Sequence, residues 1–153
     1  MQREIAELLL SQKLAVLATQ SPEGSSYSSL IAFAATDDLK KIVFATPKAT
    51  RKFANIKHNP MISLLIDNRS NNDKDFHDAK AITVMGAVDR IDPDESPNEL
   101  KSLYLSKHPY LEDFLRSPST AFISISVWSY YLVSRFQEVI ELHIRNENDI
   151  PAI

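Results

Sequence analysis

Three cations, Lys48, Arg51 and Lys52, lie within five residues of each other and beside two hydroxyl residues, Thr46 and Thr50. Thr50 is of the residue type that caps a helix, and Phe53 and Ile56 after it keep the i, i+3 spacing of one helical face. His58, Asn59 and Pro60 close that helix, with Lys57 in its last turn, where a cation suits the negative end of the dipole. Arg51 and Lys52 stand at the opposite, positive end. There each is mildly unfavourable unless an anion joins it. Free amide groups, a threonine hydroxyl and two or three cations at one helix start are the chemistry of a phosphate cradle. A solvated basic face would carry the same charges, and charge alone does not separate the two.

The elements that hold this helix are apolar and β-prone on either side, Ile42 to Phe44 before it and Met61 to Ile66 after it. Upstream, residues 3–12 carry Ile5, Leu8 and Leu9 on one helical stripe. Leu14 to Thr19 and Tyr27 to Ala35 read as strands joined by a turn containing Gly24. Asp37 to Lys40 supplies a second hairpin turn. Downstream, Asn68 to Lys80 is polar and reads as a surface loop, and Ala81 to Ile91 as a strand whose Gly86 predicts a bulge or barrel corner. Pro93 to Ser96 leads into a helix with Leu100, Leu103 and Tyr104 on one face. His108-Pro109 breaks it, and Tyr110 to Leu115 adds a further turn or two. Thr120 to Trp128 is a strand, and Tyr130 to His143 continues as a strand pair or one bent strand. The expected fold is mainly β: a small antiparallel barrel of about six or seven strands with covering helices, built as a single domain over 1–153.

Composition narrows the function classes. The 153 residues are 44% hydrophobic and 24% charged, with a net charge of −3, so no global basic field recruits nucleic acid. Cysteine is absent, which removes disulfides, thiolate metal sites and cysteine nucleophiles together. The first residues do not read as a signal peptide, and no apolar run approaches membrane-spanning length, so a cytoplasmic protein without a membrane partner is expected. The chain has only two glycines, Gly24 and Gly86. Glycine-rich phosphate loops need several at fixed spacing, so any phosphate must be held by side chains.

The ordered set of segments resembles the pyridoxamine-phosphate-oxidase-like family of FMN-binding split barrels. Ser25-Ser26-Tyr27-Ser28-Ser29-Leu30-Ile31-Ala32 stands where that family lays a strand along the flavin, and Ala45-Thr46 where a strand end touches the phosphate side. Thr50-Arg51-Lys52 matches the family's Ser/Thr-Arg-Lys at the helix start, His58-Asn59-Pro60 its helix exit, and Ala81 to Val88 the strand that follows. The resemblance implies FMN as cofactor, with Ser28, Ser29, Leu30, Ile31, Ala32, Ala45, Thr46, Lys48, Thr50, Arg51 and Lys52 around it. It also implies a homodimer, with the flavin in a groove between the two subunits, and oxidoreductase activity on a small molecule. True pyridoxamine phosphate oxidases carry an Arg where this chain has Ser29 and a Gln near Ala81, and their C-terminal Arg-x-His has no counterpart in Gln137 to Ile153. The flavin is therefore carried over and the vitamin substrate is not. The same family contains haem-degrading and deazaflavin-using members, so a non-enzymatic flavin- or haem-binding dimer is the alternative.

Other candidates read as structure. Asp73, Asp75, His77 and Asp78 lack a fixed metal-ligand spacing and read as a solvated acidic loop, so no metal is expected. His108 reads as structural, and His143 is not expected to reach a ligand. Trp128, Tyr130, Tyr131 and Phe136 at strand spacing read as core or dimer interface. Ser28 and Ser29 have no histidine at a recognisable spacing, so a serine nucleophile is not expected. No residue is identified as a catalytic acid or base.

Overall fold

In the computed structural model, which describes residues 2–91, 98–135 and 138–144, seven antiparallel strands make one sheet that closes on itself. Helix α1 (Gln2–Ser11) buries Ile5, Leu8 and Leu9 against it. The strands are β1 (Leu14–Gln20), β2 (Ser26–Ala35), β3 (Lys41–Pro47), β4 (Met61–Asp67), β5 (Lys80–Arg90), β6 (Thr120–Ser134) and β7 (Glu138–His143). Their order is β3-β2-β1-β4-β5-β6-β7, and pairing of β3 with β6 closes the first six into a barrel. Helix α2 (Arg51–His58) links β3 to β4, and α4 (Asn98–Lys107) and α5 (Glu112–Arg116) cover the outside before β6.

The interior follows the period-two pattern that a pleated strand imposes. Leu17, Phe33, Phe44, Leu64, Ile66, Ile82 and Val84 fill it. On β6 the inward residues are Ile123, Ile125 and Val127, then Tyr130 and Leu132. The change of parity is a bulge: Met85 stands opposite Ser129 and Gly86 opposite Val127, so Trp128 is the extra residue. The bend was anticipated at Gly86, and its partner explains why a glycine stands there. A Cβ on Gly86 would lie 2.6 Å from the Ser126 carbonyl oxygen. Strand β6 therefore runs on to Ser134 as one bulged strand, and β7 pairs with its second half.

Residues 68–80 depart from the expected loop by forming one helical turn, α3 (Asp75–Asp78). Its anchor is the Asp75 carboxylate, which accepts the backbone N–H groups of Ser70, Asn71 and Asn72 at 2.8, 2.7 and 3.3 Å. These donors, Ser70 foremost, hold its carboxyl below the usual carboxylate range. The predicted helix entry at Pro93 to Ser96, Phe136 and the segment beyond Ile144 lie outside the described residues. Among the described residues no helix is long and apolar enough to cross a membrane.

Strand β2 pairs with β1 along Ser26 to Ala32, but with β3 only at Phe33, Ala34 and Ala35. Beyond Phe44, β3 leaves β2 and continues along β6 alone. Ser26 to Ala32 thus keeps one edge unpaired among the described residues, and the last residues of β3 diverge from it toward α2.

Candidate functional site

Where β3 splits from β2, the chain turns into α2. Thr50 is its N-cap: the hydroxyl accepts the Phe53 N–H at 3.3 Å and donates to the Pro47 carbonyl at 2.9 Å. Thr46, only 1% exposed, sits 3.1 Å away, hydroxyl to hydroxyl. Both threonines therefore shape the turn, and Thr50 already uses its hydrogen on Pro47. Lys48 is exposed, its backbone N–H bonded to the Ser119 carbonyl at 2.8 Å. The inner end of α2 is anchored to the barrel by Asn55, which donates to the Thr19 hydroxyl at 3.0 Å in a buried contact.

The cations at this helix start are unneutralised. Elsewhere Arg3, Lys41, Arg69 and Arg116 each pair with a carboxylate. Among the described residues none pairs with Lys48, Arg51 or Lys52. Half-burial of Lys52 pulls its ammonium below the usual lysine range, the desolvation cost of a charge without a counter-ion. The Arg51 guanidinium lies 5.6 Å from the centre of the Tyr27 ring, within cation–π distance. Tyr27 lies in the strand segment read from the sequence but was not among the residues placed around the cofactor. Its signal was the alternation of β2, which puts Tyr27 on the inward face with Ser29 and Ile31, two and four residues on.

The β2 residues of the anticipated site divide between the two faces. Ser28 and Leu30 are exposed on the outer face, whereas Ile31 is 4% exposed and packs in the core, so only its backbone is available to a ligand. The Ser29 hydroxyl is buried without a hydrogen-bond partner. Ala32 is half-buried, and its carbonyl accepts the Tyr104 hydroxyl at 3.4 Å. Ala45 is half-buried on β3 where it diverges. The structure thus joins Thr46, Thr50, Arg51 and Lys52 at one strand–helix junction, and ties that junction to β2 through Tyr27.

The remaining candidates have other partners. His108 is fully buried, with Nε2 2.8 Å from the Phe33 carbonyl oxygen. His143 Nδ1 lies 3.0 Å from the Ser129 hydroxyl and its Nε2 3.1 Å from Glu141, on the β6–β7 ribbon. Trp128 and Tyr130 are core, the latter donating to the Leu39 carbonyl at 2.8 Å, while half-buried Tyr131 packs edge-on against His143. Among the described residues no group of three His, Asp or Glu is placed to hold a metal.

Comparison with known proteins adds the following. A family model described as pyridoxamine 5'-phosphate oxidase matches residues 1–134. No curated protein matches the chain. Among solved structures, the heme binding protein from Mycobacterium smegmatis superposes with a TM-score of 0.78 at 15% identity, covering 94% of this chain and 58% of its own. The chain therefore spans little more than half of that protein. The heme storage protein HutZ from Vibrio cholerae gives 0.70 at 16% identity, covering 82% of this chain and 88% of its own. A protein related to general stress protein 26, of the pyridoxinephosphate oxidase family, from Clostridium acetobutylicum gives 0.68 at 19%, covering 94% of each chain. At these identities the structural likeness concerns the fold.

Proposed function

The chain belongs to the pyridoxamine 5'-phosphate oxidase family, and from that premise we propose that it is an FMN-binding flavoprotein acting as an oxidoreductase on a small molecule. The observation that carries this reading is the unpaired cation set at the start of α2. Arg3, Lys41, Arg69 and Arg116 each have a carboxylate, whereas Lys48, Arg51 and Lys52 are gathered without one on a helix end that itself favours an anion. The residues fit an FMN phosphate. Arg51 would grip it with a two-pronged guanidinium fork, already steadied by Tyr27, and Lys48 and Lys52 would add point charges. A phosphate beside Lys52 would also supply the opposite charge that offsets the desolvation of its ammonium. The unpaired edge of β2 would offer backbone groups of Ser28 to Ala32, and the orphan Ser29 hydroxyl a further one. When bound, the flavin supplies the redox chemistry, and this chain supplies position and polarity.

The test is direct titration of the purified protein with FMN and with riboflavin. FMN should bind at least about tenfold more tightly, the contribution of a charge-assisted phosphate contact. Equal affinities would remove the cradle from the site. A haem in this fold is the second reading, favoured by the similar structures that are heme proteins. Of the histidines, His108 is fully buried and both ring nitrogens of His143 are engaged, which leaves the exposed His58 and His77 as the imidazoles available to an iron among the described residues. A stoichiometric Soret band on hemin titration, with no flavin bound, would reverse the order of the two.

The working unit in this proposal is a homodimer. The outer face next to the free edge of β2 is apolar across three strands: Leu30 stands opposite Val16, and Val16 opposite Leu65. Leu30 is 61% exposed and Leu14, on the same face, 52%. Such a continuous apolar patch calls for cover, and a second subunit there would wall the groove. Sedimentation should give a dimer at micromolar concentration. A monomer under those conditions would refute the assembly.

A further inference from the structure

A cavity of about 310 Å³ lies between α1, α4 and the turn after β2, at the other end of β2 from the cation cluster. Leu9, Leu10, Ala34 and Leu103 wall it, and Lys107 and Asp37 also line it. The Lys107 ammonium donates to the Leu9 carbonyl at 2.8 Å and sits 3.9 Å from the centre of the Phe33 ring. Among the described residues it has no carboxylate partner. An amine set against apolar walls, with a hollow beside it, is built to meet a ligand there. Two features oppose an anionic one. Asp37 lines the same cavity, and the Leu9 carbonyl belongs to the last turn of α1, the negative end of that helix. A neutral apolar molecule meets neither objection.

We propose that this cavity takes a small apolar aldehyde and that Lys107 holds it as an imine. The Nζ lone pair forms a bond to the carbonyl carbon, giving a carbinolamine. The C–O bond then breaks, and the oxygen leaves as water with one hydrogen of the neutral amine and one proton taken from solvent, so the product is the protonated imine. No electrons are exchanged. A protonated imine keeps one N–H for the Leu9 carbonyl and its charge over the Phe33 ring, so the anchoring contacts survive the chemistry. Burial supports the nucleophile: it pushes the Lys107 ammonium down to about 8. Relative to an ordinary lysine, that enlarges the neutral fraction near neutral pH by about two orders of magnitude. Burial is the cause of that shift, and the titratable groups facing Lys107 are Asp37 in the same cavity and His108 beside it in the chain.

The full chain should be exposed briefly to limiting octanal with cyanoborohydride, which fixes an imine as a secondary amine, and mapped by peptide mass spectrometry. Near neutral pH, Lys107 should be alkylated at least about tenfold faster than the exposed Lys40 and Lys48. Its rate should level off above about pH 8. Propanal, which fills less of the cavity, should show a smaller preference for Lys107. Labelling of Lys107 no faster than the exposed lysines overturns the proposal, and so does an equal preference with propanal. Octanoate raising the melting temperature while octanal leaves Lys107 unmodified would assign the cavity to an anion and also overturn it.

Discussion

Replacing Arg51 by alanine should weaken FMN binding about ten- to hundredfold, the loss of a charge-assisted and two-pronged contact worth about 1.5–3 kcal/mol. Riboflavin, which lacks the phosphate, should bind the variant and the parent equally. Arg51→Lys should recover only part of the loss, because an ammonium cannot reproduce the planar fork. The unliganded protein should scarcely change in stability. Two small effects oppose each other: a cation leaves the positive end of α2, which helps by about 0.3–1 kcal/mol, and the Tyr27 stacking contact is lost, which costs about 0.5–1 kcal/mol. A solvated basic face predicts a different pattern, with FMN affinity unchanged in the variant. Calorimetric titration of both ligands against both proteins distinguishes them. FMN binding Arg51→Ala as tightly as the parent would place the phosphate elsewhere.

Gly86→Ala should destabilise the barrel markedly. The new Cβ would lie 2.6 Å from the Ser126 carbonyl oxygen and 2.9 Å from Ile125 Cγ2. The first of these is backbone and is held in the β5–β6 ladder, so it cannot swing aside as a flexible side chain would. Overpacking of this kind costs about 1–3 kcal/mol and sometimes more, and a backbone clash belongs at the upper end. For a chain of 153 residues that corresponds to a fall in melting temperature of about 6–12 °C. Gly86 is on β5 and is not one of the residues gathered at the start of α2, so any FMN affinity of the folded variant should persist. A melting temperature within about 2 °C of the parent would mean that β5 and β6 separate more easily than their register implies.

The start of α2 was legible in the chain because its causes are local. A threonine cap, two apolar residues three apart and a closing Asn-Pro act within one or two turns, and Thr50 does accept the Phe53 N–H. The strands were legible for the same reason, since alternation writes one buried face into each of them. The Gly86 bulge was marked by a residue type that seldom stands in a strand without cause. What the chain could not display was decided by contacts between distant residues. Strand β3 pairs with β2 for only three residues before following β6, and that choice leaves the edge of Ser26 to Ala32 free. Edge pairing depends on which faces are buried together, and no local propensity records it. Tyr27 reaches Arg51 across twenty-four positions, and Lys107 reaches Leu9 across ninety-eight. Asp75 turned a polar loop into a helical turn because its carboxylate met three backbone N–H groups, a convergence that exists only once the loop is folded back. Residue types set the available chemistry, while closure of the barrel determined which of those groups meet and which are left unpaired.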